Sequence, residues 1–145
     1  MLSRMTNPPA AKVRAIMRWL MVAFYATAGA FHLLHPDAFL PIVPGWVPIP
    51  RETIVLTGLC ELAGAAALAM ERFRRLAGIM LAPYALCVWP ANFRHAFEHI
   101  AVPPIPDSWW YHAPRLALQP ALIWWALFCS GVVDWPWRRR ETRIG

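Results

Sequence analysis

Apolar residues collect in four blocks along the chain, Ile16–Leu34, Thr53–Met70, Leu76–Phe93 and Leu116–Val133. Each is about 18 residues long, the length of helix that crosses roughly 30 Å of hydrocarbon. None alternates strictly between apolar and polar positions, so the blocks read as helices and not as barrel strands. The pattern therefore predicts an all-α, integral membrane four-helix bundle, one domain over residues 1–145.

The connections differ by side. Arg4, Lys12, Arg14 and Arg18 stand at the start of the first block, Arg72, Arg74 and Arg75 fill the turn between the second and third, and Arg138, Arg139, Arg140 and Arg143 follow the fourth. Basic residues are retained on the cytoplasmic side, so these three groups predict both termini inside. The outward connections are proline-rich and apolar: 36–50 (PDAFLPIVPGWVPIP) and 100–114 (IAVPPIPDSWWYHAP). They are too short and too broken to span, and fit either a lid over the outer mouth of the bundle or interfacial anchors. Ala28-Gly29-Ala30 resembles a signal-peptide cleavage site. The apolar character continues through Leu34, which favours a retained helix.

Composition agrees with this picture. Of 145 residues, 59% are hydrophobic and 15% charged, against roughly 45–50% and 25% in soluble domains. The formal net charge of +6 sits at the ends of apolar runs and is not interleaved along a face, so the lipid bilayer is the expected partner and nucleic acid is not. Nine tryptophans suit the membrane–water boundary. Cys60, Cys87 and Cys129 are isolated within apolar runs with no C-x-x-C, which makes them small packing residues.

Polar groups within spans cost about 2.5–3.5 kcal/mol each for an acid or arginine at the helix centre, so each requires a reason. Glu61 lies about 12 Å below the outer boundary. It shares a stripe with Gly58, Ala65 and Leu68, the small-residue face that packs against other helices. His32 shares a stripe with Ala28 and Gly29. Asn92, His95 and His99 share a face if the third helix continues that far, and Arg115 and Gln119 lie one turn apart on the fourth. All four helices thus bring polar groups to the outer half. Glu61 and Arg115 are expected to pair, with His32, Asn92 and Gln119 completing the bonding.

Such a cluster either fixes helix register as a purely structural network or forms an outward-facing ligand-binding pocket of His32, Glu61, Asn92, His95, Arg115 and Gln119. A quinone head group would suit the second reading, with His32 or Glu61 as proton acceptor. The string His95-x-x-Glu98-His99 matches an inverted zinc-protease motif, but no third ligand is evident and no metal is expected. Pro83 and Pro90 fall on one face of the third helix and are expected to kink it. Solute transport is a further reading; without an inverted repeat it would rest on homo-oligomerisation.

The strings Gly29-Ala-Phe-His32 to Phe39-x-x-Ile-Val-Pro44, Gly58-x-x-Glu61-x-x-Gly64, Trp89-Pro-Ala-Asn92 and Leu118-Gln119-Pro resemble the DoxX-like membrane proteins. The resemblance runs from about Gly29 to Trp125. It implies a small four-helix bundle of the bacterial cytoplasmic (inner) membrane, with His32, Glu61, Asn92 and Gln119 as pocket residues. It further implies either a redox-associated subunit, working with a redox partner protein on a quinone or small sulfur compound, or a non-enzymatic assembly, chaperone or interaction protein. The chain departs from obvious thiol chemistry in having no cysteine pair.

Overall fold

The computed structural model describes residues 8–136. Its five α-helices are α1 (Pro8–Leu34), a short α2 (Pro36–Phe39) continued by a 3-10 turn (Leu40–Ile42), α3 (Pro50–Ala69), α4 (Arg74–Phe97) and α5 (Trp109–Cys129). Among the described residues there is no strand. Proline opens α1, α2 and α3, where its missing N–H costs nothing and its fixed φ suits the first turn. Of the predicted cytoplasmic signals, Arg4, Arg138, Arg139, Arg140 and Arg143 lie outside the described residues.

Among the described residues, three helical stretches are long and apolar enough to cross a membrane: Ala10–Leu34, Pro50–Ala69 and Arg74–Phe97. Large apolar side chains cover their outer surfaces, among them Trp19, Phe24, Leu56, Leu59, Met80 and Leu86. Glu61, Asn92, His95, His112, Gln119 and Ser130 are buried instead. The interior is mostly apolar, but it holds these polar groups while large apolar side chains face outward, the distribution a hydrocarbon surround requires.

Each of the four long helices packs against two others: α1 on α3, α3 on α4, α4 on α5, and α5 back on α1. Glycines set the closest approaches. A Cβ on Gly29 would meet the Gly58 carbonyl oxygen at 2.8 Å, and one on Gly58 would meet the Gly29 carbonyl oxygen at 2.9 Å, so α1 and α3 cross backbone to backbone. The α3 stripe of Gly58, Glu61, Ala65 and Leu68 is buried, as its spacing predicts. On α4, a Cβ at Gly78 would fall 1.9 Å from Ser130 Oγ, just beyond α5.

The helix limits correct the sequence reading at several points. α5 begins at Trp109, so residues 109–114 of the supposed loop 100–114 are helical and Arg115 lies within the helix. It stops at Cys129, not Val133. Gly131 takes φ +81°, its N–H bonds the Phe128 carbonyl and the Val132 N–H bonds the Leu127 carbonyl. This is a Schellman stop that only the left-handed glycine permits. α4 runs on to Phe97, but His99 at φ +48° turns the chain away, so His99 does not share the face of Asn92 and His95.

The two ends of the packed helices differ in chemistry. At one end Arg14 pairs with Asp134 (2.7 Å) and lies over the Phe128 ring, and the Trp125 indole donates to the Met17 carbonyl (2.9 Å). The tight α3–α4 turn with Arg72 and Arg74 lies at this end too. At the other end, segments 36–49 and 98–108 fold over the helices. Arg94 ties the first of them to α4 through the Val43 carbonyl, and Asp37 pairs with Arg51 (2.9 Å) across the α2–α3 connection.

Candidate functional site

Beneath those two segments lies a cavity of about 1260 Å³. The apolar side chains that dominate its wall come from all four long helices and both covering segments. His32, Glu61, Asn92, Arg115 and Gln119 line it. His95 does not: it is fully buried behind Arg115, where its Nδ1 accepts a bond from the guanidinium at 2.8 Å. The polar groups fall into two bonded clusters that share α4.

The first cluster is centred on Glu61, whose side chain is 7% exposed. One carboxylate oxygen lies 2.6 Å from His32 Nδ1, and the other accepts the Tyr84 hydroxyl at 2.7 Å. The Gly29–Gly58 crossing makes this possible: the antiparallel helices set His32 Cβ against Gly58 and Glu61 Cβ against Gly29, and the missing side chains at both glycines let the two polar groups reach each other. Phe39 of α2 packs on the His32 ring (4.4 Å between centroids), and Tyr25 meets Tyr84 edge-on (6.0 Å). His32 and Glu61 thus form a buried acid–imidazole pair, flanked by a phenol and facing an apolar chamber.

The second cluster joins α4 to α5. Gln119 donates to the Ala85 carbonyl (2.6 Å), and Asn92 reaches the Gln119 side-chain oxygen at 3.5 Å, a long contact. Arg115 lies over the Tyr111 ring and bonds His95. The expected Glu61–Arg115 pair is therefore corrected. Glu61 of α3 is taken by His32 of α1 and Tyr84 of α4, whereas Arg115 of α5 is held by His95.

Above Arg115, His95 meets His112 edge-on at 4.7 Å, and His112 Nε2 bonds Asp107 (3.1 Å), which also meets His99 (3.3 Å). The two histidine contacts hold the Asp107 carboxyl below its ordinary range, the His112 bond contributing most. The motif His95-x-x-Glu98-His99 is dispersed: His95 turns to Arg115, Glu98 to Arg94 (2.9 Å) and His99 to Asp107. Among the described residues no three metal-binding side chains are grouped to hold an ion.

Tyr84 and His112 escaped the sequence reading. Tyr84 was legible in principle. The α3–α4 turn is centred near residues 71–72, so an antiparallel hairpin brings residue 61 opposite about residue 82, within a turn of Tyr84. A tyrosine in an apolar run also needs a partner for its hydroxyl. His112 carried no such signal, because the start of α5 was not recognised. The cysteines divide: Cys129 is buried, as a packing residue would be, whereas Cys60 and Cys87 are exposed and unbridged. Cys87 reaches the cavity wall.

No curated protein and no solved structure matches the chain. Residues 21–130, which hold every polar group of the two clusters, match the family described as Domain of unknown function (DUF8561), and the chain belongs to that family.

Proposed function

We propose that the protein is a four-span membrane protein of DoxX-like type, a redox-associated subunit that binds a quinone or a small sulfur compound in the cavity. The observation that carries this reading is Glu61, buried at the cavity wall with one oxygen on His32 and the other on Tyr84. A quinone takes up two electrons and two protons on reduction. The paired imidazole and carboxyl can hand protons to its oxygens at a fixed position, and a redox partner protein would supply the electrons. Arg115, Asn92 and Gln119, which line the same cavity, carry further N–H groups beyond those bonded within the protein.

α5 is the fourth span in this reading. At 21 residues it is long enough, and its mean hydropathy is lowered by His112, Arg115 and Gln119, which turn away from lipid. Orientation follows from the basic end, where Lys12, Arg14, Arg18, Arg72, Arg74 and Arg75 supply the positive charge of the cytoplasmic side. The cavity then opens toward the outer half of a bacterial inner membrane.

The competing reading is an assembly or interaction protein whose polar groups only fix helix register. It is favoured by their mutual saturation: Glu61, Arg115 and Gln119 all have internal partners. Glu61→Gln separates the two, since it keeps the shape and removes the charge. Loss of quinone binding and of quinone-dependent electron transfer in a normally folded variant supports the redox reading. Wild-type behaviour would sink it.

A further inference from the structure

The cavity has a roof, a wall of polar groups and an open side. The roof is segments 36–49 and 98–108, sealed by Ile42 and Val102, which are 5% and 2% exposed, and pinned to α4 by Arg94. Among the described residues nothing comparable closes the side between α1 and α5. Among the described residues, the hydrogen bonds and ring contacts joining α1 to α5 and the segment after it run from Arg14 to Met21, ending at the Met21–Cys129 sulfur contact of 3.6 Å.

Beyond Met21 the two helices face each other across the cavity. Phe24 and Phe31 of α1, and Pro114, Leu118 and Ala121 of α5, line the cavity and are at the same time exposed at the surface. Both rims are apolar. Phe24 lies ten residues before Leu34, about 15 Å along the axis, so the gap reaches about halfway through a hydrocarbon layer of roughly 30 Å. A polar solute gains nothing at such a mouth, whereas an alkyl or isoprenoid chain stays in an apolar medium throughout. The cavity of about 1260 Å³ also exceeds the ~300–1,000 Å³ of most small-molecule sites, which leaves room for part of a tail.

Resting on the ligand-binding reading above, we infer that the ligand is a lipid-tailed molecule that passes sideways between α1 and α5. Its head lies between Glu61 and Arg115 and its tail in the gap, continuous with the leaflet nearer the covering segments. The gap, and not the roof, then selects the substrate class.

The test is to narrow the gap at its rim without touching the polar groups. Ala121→Trp does this, and Ala117→Trp, exposed on the same helix away from the cavity, is the control. Binding of a decyl-tailed benzoquinone and of the same head group with a methyl in place of the tail is measured in lipid nanodiscs, against empty ones. Expected is at least a tenfold loss for the tailed compound in Ala121→Trp, the short one staying within twofold, and neither changing in Ala117→Trp. Equal loss of both compounds, or no loss, overturns the sideways route while leaving the cavity a quinone site. If neither compound binds the wild type, the quinone reading fails separately, and the route is decided by native mass spectrometry of tightly bound lipid. Lipid lost in Ala121→Trp but kept in Ala117→Trp upholds the route; lipid kept in both overturns it.

Discussion

Replacing Gly29 by alanine tests the contact on which the Glu61 cluster depends. The new Cβ would lie 2.8 Å from the Gly58 carbonyl oxygen, 2.9 Å from Leu62 Cγ and 3.1 Å from Glu61 Cβ. Leu62 can rotate away, but the carbonyl belongs to the α3 backbone. Ordinary contact begins at 3.4 Å, so α1 and α3 must separate by 3.4 − 2.8 = 0.6 Å. If all of that fell on the His32–Glu61 bond of 2.6 Å, the bond would lengthen to 3.2 Å, past the usual span of a charge-assisted contact. Overpacking of this kind costs about 1–3 kcal/mol, and the helical gain of alanine over glycine returns about 0.5–1. The net loss is about 0–2.5 kcal/mol, or a melting temperature lower by up to about 10 °C at the ~2–4 °C per kcal/mol of chains this size. Thermal unfolding in a fixed detergent measures it, with Gly29→Val expected to lose more. Gly45→Ala is the internal control, since a Cβ there meets nothing within 4 Å. If Gly29→Ala and Gly29→Val melt with the wild type, the helices do not cross at these glycines and the reasoning fails.

Three further outcomes follow from the same geometry. Glu61→Leu leaves His32 and the Tyr84 hydroxyl without their acceptor, and should destabilise by about 1–3 kcal/mol, the cost of a buried donor left unsatisfied; Glu61→Gln should melt nearer the wild type, and the reverse order would refute the bonding described. Gln119→Leu removes the donor to the Ala85 carbonyl and should cost about 1–3 kcal/mol, read in the same melting assay, with unchanged stability counting against the contact. Asp107 has a carboxyl held below its ordinary range by His112 and then His99. Its contribution is therefore fully present above the unfolded value near 4 and is lost as pH falls through the lower folded value. Amide protection in segment 98–108, taken relative to the intrinsic exchange rate at each pH, should fall on acidification below about pH 4 in the wild type, and Asp107→Asn should show the lower protection already at neutral pH. A variant with wild-type protection at neutral pH would refute the anchoring role.

Much of this architecture is legible in the chain itself because a bilayer imposes coarse rules. Apolar blocks of about 18 residues must be helical, since no water is present to satisfy a broken backbone. The small-residue stripe through Gly58 and Ala65 marks an inward face, and Glu61 on that stripe had to be buried with it. These are local properties: composition, period and the position of a residue on one helix. The limits of α5 were harder, because its start lies in an aromatic, proline-containing stretch and its end depends on whether Gly131 adopts a left-handed φ.

Pairing across helices belongs to a different level. Depth along each span suggested that Glu61 and Arg115 could meet, yet depth says nothing of rotation about the ring of helices. Only the packed structure decided that α1 and α3 approach through Gly29 and Gly58. That approach sets His32 against Glu61, while the packing of α4 brings Tyr84 to the other carboxylate oxygen and leaves Arg115 to His95. The sequence by itself determined which residues must lie inside an apolar shell, because hydrophobic and polar positions are read one helix at a time. Which of them touch, and on which side the shell stays open, depended on backbone contacts between residues 29 positions apart in the chain, and that information exists only once the helices have packed.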